Sequence, residues 1–188
     1  MTKPFDSSYM KPASLYLFMT RIEKILIQDE ELLRLLTYKP MGFDEKTQTA
    51  IPDPLSSDLP NLVDVNSSEY WTLVKDRIRK GDKRTNINDD SKCVIYLQEG
   101  RERSIWGNAF QVNQEVILSI LVHEDYEDDF RMSRIRDRVY ELLIHKKGMA
   151  GFGKFESIGG DPRDTVKGFR RIDFRMTFAN NKAPNMKP

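Results

Sequence analysis

The chain has 188 residues, and 30 Lys and Arg are nearly matched by 29 Asp and Glu, for a formal net charge of +1. That length fits one domain with an elaboration, and that balance argues against a protein whose main task is neutralising nucleic-acid phosphate. A single cysteine, Cys93, excludes an intrachain disulfide, and no window approaches the roughly 20 apolar residues of a membrane span.

Residues 1–13 are polar, carry Pro4 and Pro12, and lack an apolar stretch of signal-peptide length, so a soluble chain made in the cytoplasm is expected. Ser14 can cap a helix in which Leu15, Phe18, Met19, Ile22, Ile25 and Leu26 share one face. Asp29 interrupts that face, and DEELLRLLTY restarts helix with acids in the first turn, where the dipole favours them. The first helical region therefore spans 14–37 with a kink. Residues 39–67 hold Pro40, Pro52, Pro54 and Pro60, which forbid long helix and central strand. They also hold Ile51, Leu55, Leu59, Leu62 and Val63, so the segment reads as an ordered, extended arm lying on its own surface or a neighbour's. A short helix over SSEYWTLVKDRIRK follows, capped by Ser67 or Ser68, stopped by Gly81, with Trp71, Val74 and Ile78 on one face. KRTNINDDSK is a polar loop.

CVIYLQ is rich in β-branched and aromatic residues and predicts a strand, in which Cys93 is a small buried hydrophobe. EGRERSIWGN reads as the turn region of a hairpin whose return strand is AFQVNQEVILSILVHE. Phe110, Val112, Val116, Leu118, Ile120 and Val122 share one face of that strand; Gln111, Asn113, Glu115 and Ser119 share the other, and Ile117 and Leu121 make part of it apolar. A helix over 128–145 carries Met132, Ile135, Val139, Leu142 and Leu143 as its stripe, with Gly148 just past its end. KFES and FRRIDFRMTF form a second hairpin, with Ile172, Phe174, Met176 and Phe178 facing one way, and 181–188 is a polar tail. The expectation is one α+β domain over 1–188: a mostly antiparallel four-stranded sheet of two hairpins, packed with helices, preceded by an N-terminal helix and the long arm.

Four constellations could carry chemistry. His123, Asp125, Asp128 and Asp129 could ligate a divalent cation for a nuclease-like reaction, but the spacing matches no defined metal motif. The same acids suit a helix start, with Glu127 and Asp128 in reach of Arg131. Arg131, Arg134, Arg138 and Glu141 lie on one stripe beside the apolar face of the helix. Such a mixed-charge stripe suits a solvated face or a subunit contact better than nucleic acid. The hairpin tip carries Arg101, Arg103 and Trp106, residue types favoured at binding hot spots. In GMAGFGKFESIGG the third glycine of a dinucleotide fingerprint is missing, and the segment follows a helix instead of opening one. Cys93 and the histidines sit in runs explained by structure, and no nucleophile elbow is present, so no catalysis is expected.

The helix RIEKILIQDEELLRLL, the strand NAFQVNQEVILSILVHEDY, the helix RMSRIRDRVYELLI and the closing strand FRRIDFRMTF follow in an order that resembles the tail terminator (tail-completion, head–tail joining) proteins of tailed bacteriophages. The similarity covers roughly 14–38 and 91–180, and the arm 39–67 with its short helix is longer than compact members need. The resemblance implies a virion protein assembled in the host cytoplasm. Its subunit forms a ring, commonly a hexamer, that caps the tail tube and meets tail tube and neck or connector proteins. Genomic DNA passes the lumen without specific binding, and no membrane, metal or cofactor is involved. On this reading Arg131, Arg134, Arg138, Glu141, Arg101, Arg103 and Trp106 belong to subunit or partner interfaces.

Overall fold

Asp29, which interrupts the apolar periodicity, ends one helix by starting the next. α1 (Leu15–Ile27) stops before it, and the Asp29 carboxylate accepts the Leu32 N–H at 2.9 Å as the cap of α2 (Glu30–Thr37). The computed structural model describes residues 15–81, 91–105, 108–145, 154–158 and 168–181. Ser14 as a cap, the loop 82–90, Trp106, Gly148, most of the glycine-rich run and the tail beyond 181 lie outside the described residues.

The proline-rich segment contains more regular structure than its composition predicts. β1 (Gly42–Asp44) and β2 (Thr49–Ile51) pair antiparallel as a separate two-stranded sheet. Its turn is built locally, with Asp44 accepting the Lys46 N–H at 2.9 Å and Gln48 at φ 54°. α3 (Ser68–Arg77) is capped by the Ser67 hydroxyl. It ends before Gly81, because Ile78–Lys80 leaves the helix as β3 and runs parallel to the next strand. Tyr70, Val74 and Ile78 are the buried residues of this stretch, while Trp71 is exposed.

β4 (Cys93–Ile105) and β5 (Asn108–His123) form the long hairpin; β6 (Lys154–Ser157) and β7 (Phe169–Asn181) form the second antiparallel pair. The sheet order is β3-β4-β5-β7-β6. The four antiparallel strands are those read from the sequence, and the parallel edge strand β3 is an addition. β4 also extends through residues read as turn, with a register shift between Glu99 and Glu102. Gly100 sits at that shift, where a Cβ would lie 2.7 Å from the Cβ of Glu115.

A six-residue 3-10 segment, Glu124–Asp129, follows β5, so the corner is not the first turn of one long helix. Phe130 then takes a left-handed conformation at φ 58° before α4 (Arg131–Tyr140), which continues as a wider turn over Glu141–His145. The main core lies between the helices and one sheet face: Leu26, Leu32, Leu36, Ile135, Val139 and Leu142 meet Ile95, Leu118, Ile120 and Phe174. Val94, Tyr96, Leu121 and Phe169 form a smaller buried cluster on the second face, which is therefore partly covered as the alternation predicts.

Candidate functional site

The arginine stripe of α4 is where distant parts of the chain converge. Arg131 is 0% exposed. Its Nε and Nη2 donate to Asp129 Oδ1 and Oδ2 at 3.1 and 2.8 Å, and its Nη1 donates to the carbonyl oxygens of Leu35 and, at 2.8 Å, Tyr38. Those carbonyls close the C-terminal end of α2, where unpaired acceptors need a donor. The guanidinium also lies 5.4 Å from the centroid of the Tyr126 ring. Asp129, read from spacing as a helix-start acid, is instead the buried counter-ion of Arg131.

One turn on, Arg134 reaches Asp53 of the arm at 2.7 Å and Asp129 at 3.4 Å. The hydrogen bond from Arg134 and its charge hold the Asp53 carboxyl below the usual carboxylate range, against the opposing effect of burial. Arg138 grips Asp29 through two bonds of 2.9 and 2.7 Å, and meets Glu31 at 3.0 Å and Glu141 at 2.6 Å. The Asp29 hydrogen bond raises the Arg138 pKa further. The three arginines thus share a stripe as their spacing predicts, and they bind α2 and the arm of their own chain.

Two residues with no part in the sequence-based site complete the clamp. Arg34 donates to the carbonyl oxygens of Ser56 and Leu59 at 2.6 and 3.0 Å and to Asn61 Oδ1 at 2.8 Å. Glu30, paired with Arg34 at 2.7 Å, accepts the N–H groups of Leu62 and Val63. Burial works to raise the Glu30 pKa, but Arg34 and those two N–H groups outweigh it and leave the carboxyl lowered. The i, i+4 spacing of Glu30 and Arg34 was visible in EELLRLL; nothing in the sequence pointed to their partners in the arm.

At the acidic corner the Ser91 hydroxyl donates to Asp125, and the Asp125 carboxylate lies 3.2 Å from His123 Nδ1. His123 Nδ1 accepts the Asp125 N–H at 3.2 Å, so the imidazole caps the 3-10 segment that follows β5. Asp125, Asp128 and Asp129 do not converge: Asp125 faces Ser91, Asp129 faces Arg131, and Asp128 is exposed. Among the described residues, no three His, Cys, Asp or Glu come together as a possible metal site. The Cys93 thiol is buried, and that burial pushes its pKa up to about 12, so it is unreactive at neutral pH.

Arg101 and Arg103 are exposed on β4. Both bear on the buried Glu115 of β5: the Arg101 N–H donates to it at 3.4 Å and Arg103 Nε lies 3.9 Å away. Arg175 of β7 approaches the same carboxylate at 3.6 Å. No described helix is long and apolar enough to cross a membrane.

Comparison with known proteins gives two matches. The YomW family model matches residues 29–178, which span α2, the arm, the sheet and α4. The SPbeta prophage-derived uncharacterized protein YomW of Bacillus subtilis (strain 168) is 28% identical over 180 residues, covering 87% of this chain and 96% of its own length. The match begins at Asp29, the cap gripped by Arg138, and contains every element of the arginine clamp; the chain belongs to the YomW family.

Proposed function

We propose that this protein is a structural virion subunit that forms a ring, a hexamer, capping the phage tail tube and joining the tail to the neck. One observation carries the reading. A chain related to a prophage-derived protein orders its helix, long hairpin, α4 and closing hairpin around one sheet, in the sequence that the tail-completion resemblance implies. A net charge of +1 supports contacts made mainly with protein, because a DNA-neutralising surface would carry a strong basic excess. The subunit on this reading has no catalytic role and needs no cofactor. Its partners are copies of itself, the tail tube protein and the neck or connector proteins, and genomic DNA passes the lumen unbound.

Negative-stain imaging of the purified protein, alone and with tail tubes, tests this. Rings with six countable subunits are expected. A monomer at high concentration that also fails to associate with tail tubes would overturn the reading.

A further inference from the structure

His123 stands where β5 and the 3-10 segment meet the starts of β4 and β7. It is the last residue of β5, its N–H donates to the Lys92 carbonyl just before β4, and across the ladder it faces Phe169. The segment Glu124–Asp129 leaves directly after it, and the Glu124 N–H ties that segment to the Gly168 carbonyl at 2.8 Å. The imidazole is held on its flanks. The Phe169 ring meets it edge-on with 4.8 Å between centroids, and a Cβ at Gly168 would lie 3.0 Å from its Nε2. Only 13% of the side chain is exposed.

Two contacts compete for one atom of this ring. His123 Nδ1 accepts the Asp125 N–H at 3.2 Å and so caps the segment. The same Nδ1 lies 3.2 Å from Oδ2 of the Asp125 carboxylate, an oxygen that also accepts the Ser91 hydroxyl. A ring nitrogen accepts a hydrogen bond only while it is unprotonated, and donates one to a carboxylate only while it is protonated. The cap therefore requires a neutral imidazole with its proton on Nε2, the ion pair requires the imidazolium, and the two exclude each other. The charged residues adjoining the ring on the packed elements are Glu124, Asp125, Lys92 and Arg170. Lys92 is bound to Asp76 at 3.2 Å and Arg170 to Glu127 at 2.6 Å. Glu124 Oε1 stands beside the ring, 3.8 Å from the same Cβ position on Gly168.

Histidine is the side chain that ordinarily changes charge between about pH 5 and 8. We infer that His123 is a protonation switch: on gaining a proton at Nδ1 it gives up the Asp125 N–H and takes the Asp125 carboxylate. The first turn of the 124–129 segment is released, while Asp129 stays bound to Arg131 at the far end. One proton moves from solvent to Nδ1 and no covalent bond changes. The switch lies within one subunit and does not depend on the ring-forming reading.

NMR of the full chain labelled with nitrogen-15 tests this. At about pH 8 the His123 ring nitrogens show the Nε2–H tautomer. As the pH falls to about 5, the ring gains its charge, and the Asp125 amide loses protection with the same midpoint. That protection, corrected for the pH dependence of free exchange, falls at least about tenfold relative to the centre of β5. His123→Asn keeps a side-chain acceptor for the cap but cannot gain charge, so its Asp125 amide stays protected over the whole range. An Nδ1–H tautomer at pH 8 overturns the switch, as does a ring that stays neutral throughout. A ring that titrates while the Asp125 amide keeps its protection overturns it too. So does the same loss of protection in folded His123→Asn, which would trace the effect to a carboxyl group. If that variant does not fold, the wild-type titration decides alone.

Discussion

Residues 42–51 and 52–63 belong to one proline-rich arm, yet they are held in different ways. The later half is clamped by side chains from two helices: Arg34 and Glu30 of α2 bind five groups along 56–63, and Arg134 of α4 takes Asp53. Tyr38 adds a 2.9 Å bond to the Pro60 carbonyl. The earlier half is held by the ladder and turn of its own hairpin. A chain that cannot form helix or sheet through its prolines still needs partners for its backbone groups. Charged side chains supply them in the later half, whereas β pairing supplies them in the earlier half and leaves apolar side chains outside.

The largest way to break this contrast is at its root. Arg131 joins α4 to the end of α2, from which the clamp and the arm both start. Arg131→Ala would leave the buried Asp129 carboxylate with only its longer 3.4 Å contact to Arg134, and the Leu35 and Tyr38 carbonyls without their Arg131 donor. A loss of about 3–5 kcal/mol is expected, read by urea unfolding. The double change Arg131→Met with Asp129→Leu should cost less than Arg131→Ala, because no lone charge remains.

A smaller effect separates the two halves of the arm directly. Arg34→Ala should cost about 2 kcal/mol and speed hydrogen exchange at Leu62 and Val63, whose N–H groups are bound by the Glu30 that Arg34 holds. Exchange at Phe43 and Ala50 should not change. Acid should act on both halves, because the Lys46 and Thr47 N–H groups hold the Asp44 carboxyl of the hairpin turn below its usual range as well. Glu30 and Asp53 both have lowered folded pKa values, so each contributes stability that is present above its unfolded pKa and lost as pH falls through the folded value. Protection of 53–63 should therefore persist at neutral pH and decline below about pH 4, before the core strands open. Equal loss of protection in both halves on Arg34→Ala would erase the distinction.

The sequence made legible what depends on local periodicity. The apolar stripes of α1, β5, β7 and α4 face the core, although Ile27 is buried outside the α1 stripe, Ile25 and Ile172 are only partly buried, and Glu115 and Ser119 of the polar face of β5 are buried too; the Phe110 side chain lies outside the described residues. Three-residue strands such as β1, β2 and β3 are too short to show a period, so the hairpin was read as plain extended chain and β3 as helix. Phe130 adopts its left-handed backbone although an aromatic residue gives no sign of it. The Arg131, Arg134 and Arg138 stripe was readable because three- and four-residue spacings align on a helix. Their counterparts Leu35, Asp53 and Asp29 lie 96, 81 and 109 positions away. Such pairings are set by how α2 packs on α4, and a single chain's spacing does not encode them.

The smallest expected effect sharpens the comparison most. Phe43 is large and apolar, and a buried phenylalanine would cost several kcal/mol to truncate. Here it is 59% exposed on a hairpin paired to no other described strand. Phe43→Ser should therefore change the unfolding free energy of the dilute chain by no more than about 0.5 kcal/mol. A loss above about 1 kcal/mol would mean that the hairpin packs on its own body, and the two halves of the arm would then be alike.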